Sequence, residues 1–198
     1  TKESGARYRL EGYLFPATYS IKESTTIESL IDEMLAAMDK TLTPHYSTIK
    51  SKNLTVNELL TIASLVEKEG AKTEDRKLIA GVFYNRLNLG MPLQSNIAIL
   101  YAQGKLGQNI SLADDAGIDT SINSPYNVYT KSGLMPGPVD SPSQDAIEAS
   151  INQTKSENLY FVANVTDGKV YYAANQEEHD RNVAEHVNSK LTQNSSSN

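Results

Sequence analysis

The stretch from Thr55 to Asn88 constrains this chain most. The segment "TVNELLTIASLVEKEG" opens on a capping box, Thr55-x-x-Glu58, runs apolar through Leu59, Ile62, Leu65 and Val66, and reaches Gly70, a residue suited to ending a helix. After a short polar turn, residues 74–88 supply Leu78, Ile79, Val82, Phe83 and Leu87 at helical spacing, and Gly90 and Pro92 follow as stop signals. Two helices joined so closely make an αα-hairpin, and its turn falls beside Glu69.

That register separates two glutamates. At roughly 100° per residue, with Ile62 at zero, Val66 falls near about 40°, Leu59 near about 60° and Leu65 near about 300°. Glu69 falls near about 340°, inside this apolar stripe, whereas Glu67 near about 140° and Lys68 near about 240° lie at or beyond its edges. Burial disfavours the charged form of a carboxyl group, and the negative end of the helix macrodipole acts in the same direction. Glu69 is therefore expected to be a carboxyl held towards its neutral form, as general acid catalysis at a glycosidic oxygen requires. The alternative is structural: Glu69 pairs with Arg76 or Arg86, or the helix frays before it.

Composition narrows the partners. A 198-residue chain with 39% hydrophobic residues can bury a sizeable core. A formal charge of -6 without a long Lys/Arg block argues against nucleic acid or an anionic membrane surface as the main partner. Cysteine is absent, so neither a disulfide framework nor a thiolate site is possible. His45, His179 and His186 lie far apart without ligand spacing, and we expect no metal and no cofactor. No apolar run approaches eighteen residues, and we expect any membrane anchor to lie outside this stretch. Tyrosine is abundant, 11 against 3 Phe and no Trp, which suits polar ligands such as sugars as well as core packing.

Elsewhere, residues 7–21 read as strand or loop interrupted by Pro16. An amphipathic helix follows, with Ile27, Leu30, Ile31, Met34, Leu35 and Met38 on one face and Thr25 and Glu28 as its capping box. Residues 90–142 are rich in Gly, Pro, Asn, Ser and Asp, with only "NIAILYA" as a helical turn or two. So long a connection in a compact domain is expected to shape a cleft. A short helix capped by Ser141 or Ser143, a β-hairpin over 158–174 turning at Asp167-Gly168, and a final helix complete the pattern. The expected fold class is α+β, helices packed around a small, mainly antiparallel sheet, since βαβ alternation is missing. Residues 1–50 are expected to form an N-terminal lobe or lead-in, 51–190 the catalytic region and 191–198 a tail.

Other candidate groups are less distinctive. Tyr84, Asn85 and Arg86 read as a solvated face with one buried ring. "LQSN" (Leu93 to Asn96) and "SPYNVYT" (Ser124 to Thr130) suit hydroxyl and amide recognition, and turn chemistry explains them equally well. Glu11 is either a second carboxylate or half of a surface ion pair. No Ser-His-Asp spacing, nucleophile elbow or phosphate loop is present.

Taken in order, "EGYLFPATY", "ASLVEKEG", "VFYNRLNLGMPLQS", "SPYNVYTKSGLMPGPVDSP", "LYFVA" and "HDRNV" resemble the YceG-like family of endolytic murein transglycosylases over about residues 8–187. The resemblance implies a bacterial cell-wall enzyme that cuts peptidoglycan glycan strands between N-acetylmuramic acid and N-acetylglucosamine, leaving a 1,6-anhydro end. It also implies a single-pass membrane anchor outside this stretch, an extracytoplasmic catalytic part, and association with cell-wall synthesis and division proteins. Within its motifs Glu69 matches the catalytic glutamate, and Gln94, Ser95, Tyr126, Asn127 and Tyr129 match cleft positions for saccharide or peptide-stem contacts. Glu11, apart from those matches, is expected as a further substrate-binding residue. One departure stands out: Asn96-Ile97 replaces the family's usual Asp-Pro, keeping hydrogen bonding and losing a charge. That departure sustains a rival reading, a catalytically weak glycan-binding or scaffold module. An ordinary muramidase, leaving reducing ends, is the third.

Overall fold

The computed structural model describes residues 5–108, 117–164 and 167–188. In chain order these form α1 (Ile27–Leu42), a 3-10 turn (Thr43–His45), α2 (Tyr46–Ser51), α3 (Val56–Glu69), α4 (Thr73–Asn88), α5 (Asn96–Gln103), α6 (Gln144–Ile151), β1 (Tyr160–Ala163), β2 (Val170–Ala173), α7 (Gln176–Val183) and a π turn (Ala184–Asn188). β1 and β2 pair antiparallel, with Tyr160 opposite Ala173 and Phe161 opposite Tyr172. The fold is α+β, and residues 191–198 lie outside the described part of the chain.

α3 is the central helix, with α4, α5 and α6 against it. Every residue from Leu59 to Val66 is buried, so its apolar surface is not a stripe but the whole circumference. The physical reason is that α3 serves two cores. Ile62, Leu65 and Val66 join Ile79, Phe83, Leu93, Tyr101, Tyr126 and Met135, while Leu59, Leu60 and Ala63 join Met38, Leu42, Ile49, Ile147 and Ile151. Each fully buried Leu or Ile contributes about 1.5–3 kcal/mol. The two polar residues on that surface satisfy themselves locally: Thr61 Oγ1 donates to Asn57 O at 2.7 Å and Ser64 Oγ to Thr61 O at 2.8 Å, the latter also accepting from Val139 N.

The expected Thr55/Glu58 capping box forms, Glu58 N donating to Thr55 Oγ1 and Thr55 N to Glu58 Oε2. The α1 cap is displaced by one residue. Thr26, not Thr25, is the N-cap and exchanges bonds with Ser29, because Thr25 Oγ1 already accepts from Lys22 N in the preceding turn. Only Met38 and Leu42 at the far end of α1 are fully buried, and Ile27 is 75% exposed. Residues 7–21 resolve as loop and turn. "NIAILYA" forms the two turns of α5, and Ser143 rather than Ser141 caps α6.

Close approach requires glycine at positions 81 and 70, on the hairpin that carries Glu69. A Cβ on Gly81 in α4 would stand 2.5 Å from Thr154 O, where the chain after α6 crosses and Thr154 N bonds Lys77 O. A Cβ on Gly70 would meet Arg76 Cγ at 2.7 Å and Arg76 backbone at 3.2 Å. Gly70 ends α3 in an extended conformation, φ -112, so it is needed there for space and not for a left-handed turn.

Candidate active site

The αα-hairpin brings the two glutamates of "EKEG" to different fates. Arg76, at the start of α4, folds back over the turn, with Nε donating to Gly70 O at 2.9 Å, Nη2 to Glu67 Oε1 at 2.8 Å and Nη1 to Asp145 Oδ2 at 2.6 Å. Ser143 completes the clasp, its backbone N–H and hydroxyl both reaching Glu67 Oε2. Hydrogen bonding and ion pairing to Arg76, helped by Thr73, hold Asp145 below the usual carboxylate range. Glu67 thus pins α3, the turn and the start of α6 together. Arg76, one of the two partners open to Glu69 from sequence, is committed to Glu67 and Asp145.

Glu69, the last residue of α3, is half-buried and lines an open groove of about 550 Å³. One wall is helical, from Val82 and Arg86 of α4, the Leu93–Gln94 connector and the first turn of α5. The other comes from β1 and from Gln176, His179 and Val183 of α7, with Tyr129 also on the lining. Ser95 Oγ donates to Glu69 Oε1 at 2.8 Å. Ser95 stands at the N-cap of α5 yet makes no side-chain cap bond, so the hydroxyl that would ordinarily close that helix is directed at the glutamate. Tyr129 Oη donates to Asn96 Oδ1 on the same lining.

Gln94 adopts φ 57, a left-handed conformation uncommon outside glycine. It is held there by its N–H to Val128 O at 2.9 Å and by Arg86 Nη1 on its Oε1 at 2.8 Å. Arg86 is 4% exposed; the guanidinium also donates to Leu159 O and Pro92 O and lies 4.7 Å from the Tyr160 ring centre. Burial pulls its pKa down, with the Tyr160 and Tyr129 rings opposing. The solvated-face reading of Tyr84, Asn85 and Arg86 is therefore overturned. Asn85 staples Ser156 O and Asn158 O, Arg86 ties α4 to β1, and burial pushes the Tyr84 phenol up to about 12.

Of the sequence-derived site residues, the fold gathers Glu69, Gln94, Ser95 and Tyr129, and adds Asn96. Tyr126 and Asn127 lie behind the wall. Tyr126 is in the core against Tyr101, ring centres 4.9 Å apart, and accepts from Arg7 N. Asn127 is 1% exposed; its amide donates to Thr120 O and Ile122 O and accepts from Tyr129 N, so it shapes the loop that carries Tyr129. Glu11 is not on the groove lining: it accepts from Tyr101 Oη at 3.3 Å, and burial, with Asp140 nearby, raises its pKa. The lining residues of β1 and α7, and Arg86, are those that sequence reasoning missed.

Fold and site together define an α+β domain in which a glutamate at the end of a fully packed helix faces a groove closed on its far side by a β-hairpin and a following helix. The chain belongs to the YceG-like family, whose model matches residues 1–185. It is 89% identical over 190 residues to a Streptococcus pneumoniae (serotype 2, strain D39) protein named endolytic murein transglycosylase, a match spanning 96% of this chain and 34% of that protein. A Bacillus subtilis (strain 168) protein of the same name is 37% identical over 185 residues, spanning 93% of this chain and 50% of that one. A YceG-like protein of Listeria monocytogenes, solved by crystallography, superposes with a TM-score of 0.82 at 38% identity, across 91% of this chain and 57% of that chain. The chain thus spans between a third and a half of the length of the curated relatives it matches.

Proposed function

We propose that this domain is the catalytic part of an endolytic peptidoglycan lytic transglycosylase, in which Glu69 acts first as general acid and then as general base. Glu69 gives its proton to the oxygen that bridges N-acetylmuramic acid and the next N-acetylglucosamine. The C1–O bond breaks, and positive charge develops at C1. The glutamate, now a carboxylate, takes the proton from the C6 hydroxyl of the same muramic residue as O6 bonds to C1, which leaves a 1,6-anhydro end and a restored acid. No water enters the balance. A second carboxylate to activate water, as hydrolases of the two-carboxylate type use, has no part in this cycle. The carrying observation is the placement of Glu69 on the groove lining with Ser95 Oγ on its Oε1. A charge-assisted bond of that kind is strongest when Glu69 is ionised, between the two proton transfers. The names of the relatives support the same reading.

By the same reasoning the substrate is peptidoglycan glycan strands, and the domain works on the wall side of a membrane-anchored protein among cell-wall synthesis and division proteins. No helix among the described residues is long and apolar enough to cross a membrane. The scaffold reading keeps one specific feature: Asn96 supplies an amide where the family usually carries a carboxylate, and its oxygen is engaged by Tyr129. Digestion of purified sacculi decides between them. Mass spectrometry should find anhydromuramoyl ends with the native domain, and Glu69→Gln should lower their release at least about a hundredfold. Reducing ends in their place, or no products at all, overturn the proposal.

A further inference from the structure

On the far side of the groove from α4 is a polar group that the mechanism above leaves unused. His179 of α7 lines the groove, and its Nδ1 is buried without a hydrogen-bond partner among the described residues. Its ring is stacked on Tyr160, centres 5.1 Å apart and planes 24° apart, and the guanidinium of Arg86 lies against the same tyrosine at 4.7 Å. Arg86 is anchored through Leu159 O, Pro92 O and Gln94 Oε1. The imidazole is therefore positioned, through Tyr160, against a fixed point on α4.

A buried polar atom without a partner calls for an explanation, and the lack constrains the ring's chemistry. An orphaned buried N–H is rarer than an orphaned acceptor, so Nδ1 is the ring nitrogen that keeps the lone pair and Nε2 carries the hydrogen. Protonating the ring would bury a second N–H with nothing to receive it. Burial lowers the His179 pKa, Arg86 adds to that lowering and Asp180 opposes it, in agreement with a neutral ring.

We infer that His179 is a substrate-contact residue, offering an Nε2–H donor to an uncharged oxygen of an N-acetylated sugar, an acetamido carbonyl or a ring hydroxyl, held in the groove with Glu69. This inference rests on the proposed function and extends it to the opposite wall.

The test measures steady-state cleavage of soluble, un-cross-linked glycan strands together with thermal melting. His179→Phe keeps a ring for Tyr160 to stack on and removes both the donor and the orphaned nitrogen. The expected result is a melting temperature equal to or above the native one, a KM raised about three- to tenfold, and kcat within about twofold. His179→Gln, whose amide can place an N–H near the Nε2 position, should restore KM to within about threefold of native. A Phe variant that melts like the native domain with an unchanged KM overturns the inference and leaves the proposed function standing. If the Phe variant does not fold, the Gln variant decides, near-native KM supporting the contact and a fully raised KM overturning it. A native domain that neither cuts nor binds the strands overturns the proposed function and, with it, this inference.

Discussion

Glu67 and Glu69 are two residues apart and chemically identical, and the fold gives them opposite roles because about 200° of helical rotation separates them. Glu67 falls to Arg76 and Ser143 and becomes part of the scaffold, while Glu69 reaches the groove lining and Ser95. The same arithmetic applied to α4 finds Arg86, which follows Ile79, Val82 and Phe83 by seven, four and three residues and so lies on their buried face. Its charge masks that position when the segment is read by polarity alone. His179 carries the residue-scale prediction. Its pKa is lowered in the folded state from an ordinary value of about 6.5, so over the window below that value the unfolded chain binds more protons than the folded one, and stability rises with pH. Chemical denaturation followed between pH 7.5 and pH 5 should show the native domain losing stability as pH falls through about 6.5, with part of that slope absent in His179→Phe. Equal slopes in the two proteins would remove the buried neutral imidazole from the account.

At the scale of elements, the legible features were those whose cause is local. Thr55 and Glu58 cap α3 as expected because both partners lie within one turn, and the β-hairpin forms within the expected span, although its register, Ala163 opposite Val170, is not that of a two-residue turn at Asp167-Gly168. The cap of α1 moved to Thr26 because two threonines compete and Lys22 N engages the first. Gly70 looked like a stop signal and does end α3, but its reason is the Arg76 side chain that packs onto it, a contact no local rule contains. Gly81 is more exacting, since what it faces is backbone. In Gly81→Ala the new methyl would meet Thr154 O, and overpacking of that kind costs about 1–3 kcal/mol despite alanine's better helix propensity. For a domain of this size that is a drop of roughly 2–12 °C in Tm, read by circular dichroism on heating. A variant melting at or above the native temperature would show that the crossing segment moves aside freely.

For the whole molecule, the decisive arrangement is the approach of the β1–β2 hairpin and α7 to the helical core, sealed by Phe83 edge-on to Phe161 at 5.9 Å and by Arg86 reaching across to Leu159 O. The groove exists only between these two parts. On the proposed function, glycan strands bound to the Glu69→Gln domain should therefore slow amide hydrogen exchange in Leu159–Ala163 and α7 as well as around the start of α5, with little change in α1. Protection confined to the helical side would mean that the hairpin and α7 are not a wall of the site. From the amino-acid order alone came every helix but α2, the span of the hairpin, the caps of α3 and α6, the α+β class, and the singling out of Glu69, because periodicity and capping act between residues a few positions apart. What only the tertiary structure decided was which polar side chains share one groove. Asn127 turned inward and Tyr126 into the core, whereas Arg86, Tyr160 and His179, up to 93 residues apart in the chain, met at the far wall. Those meetings depend on long-range packing, and no local pattern encodes the distance between elements that the core brings together.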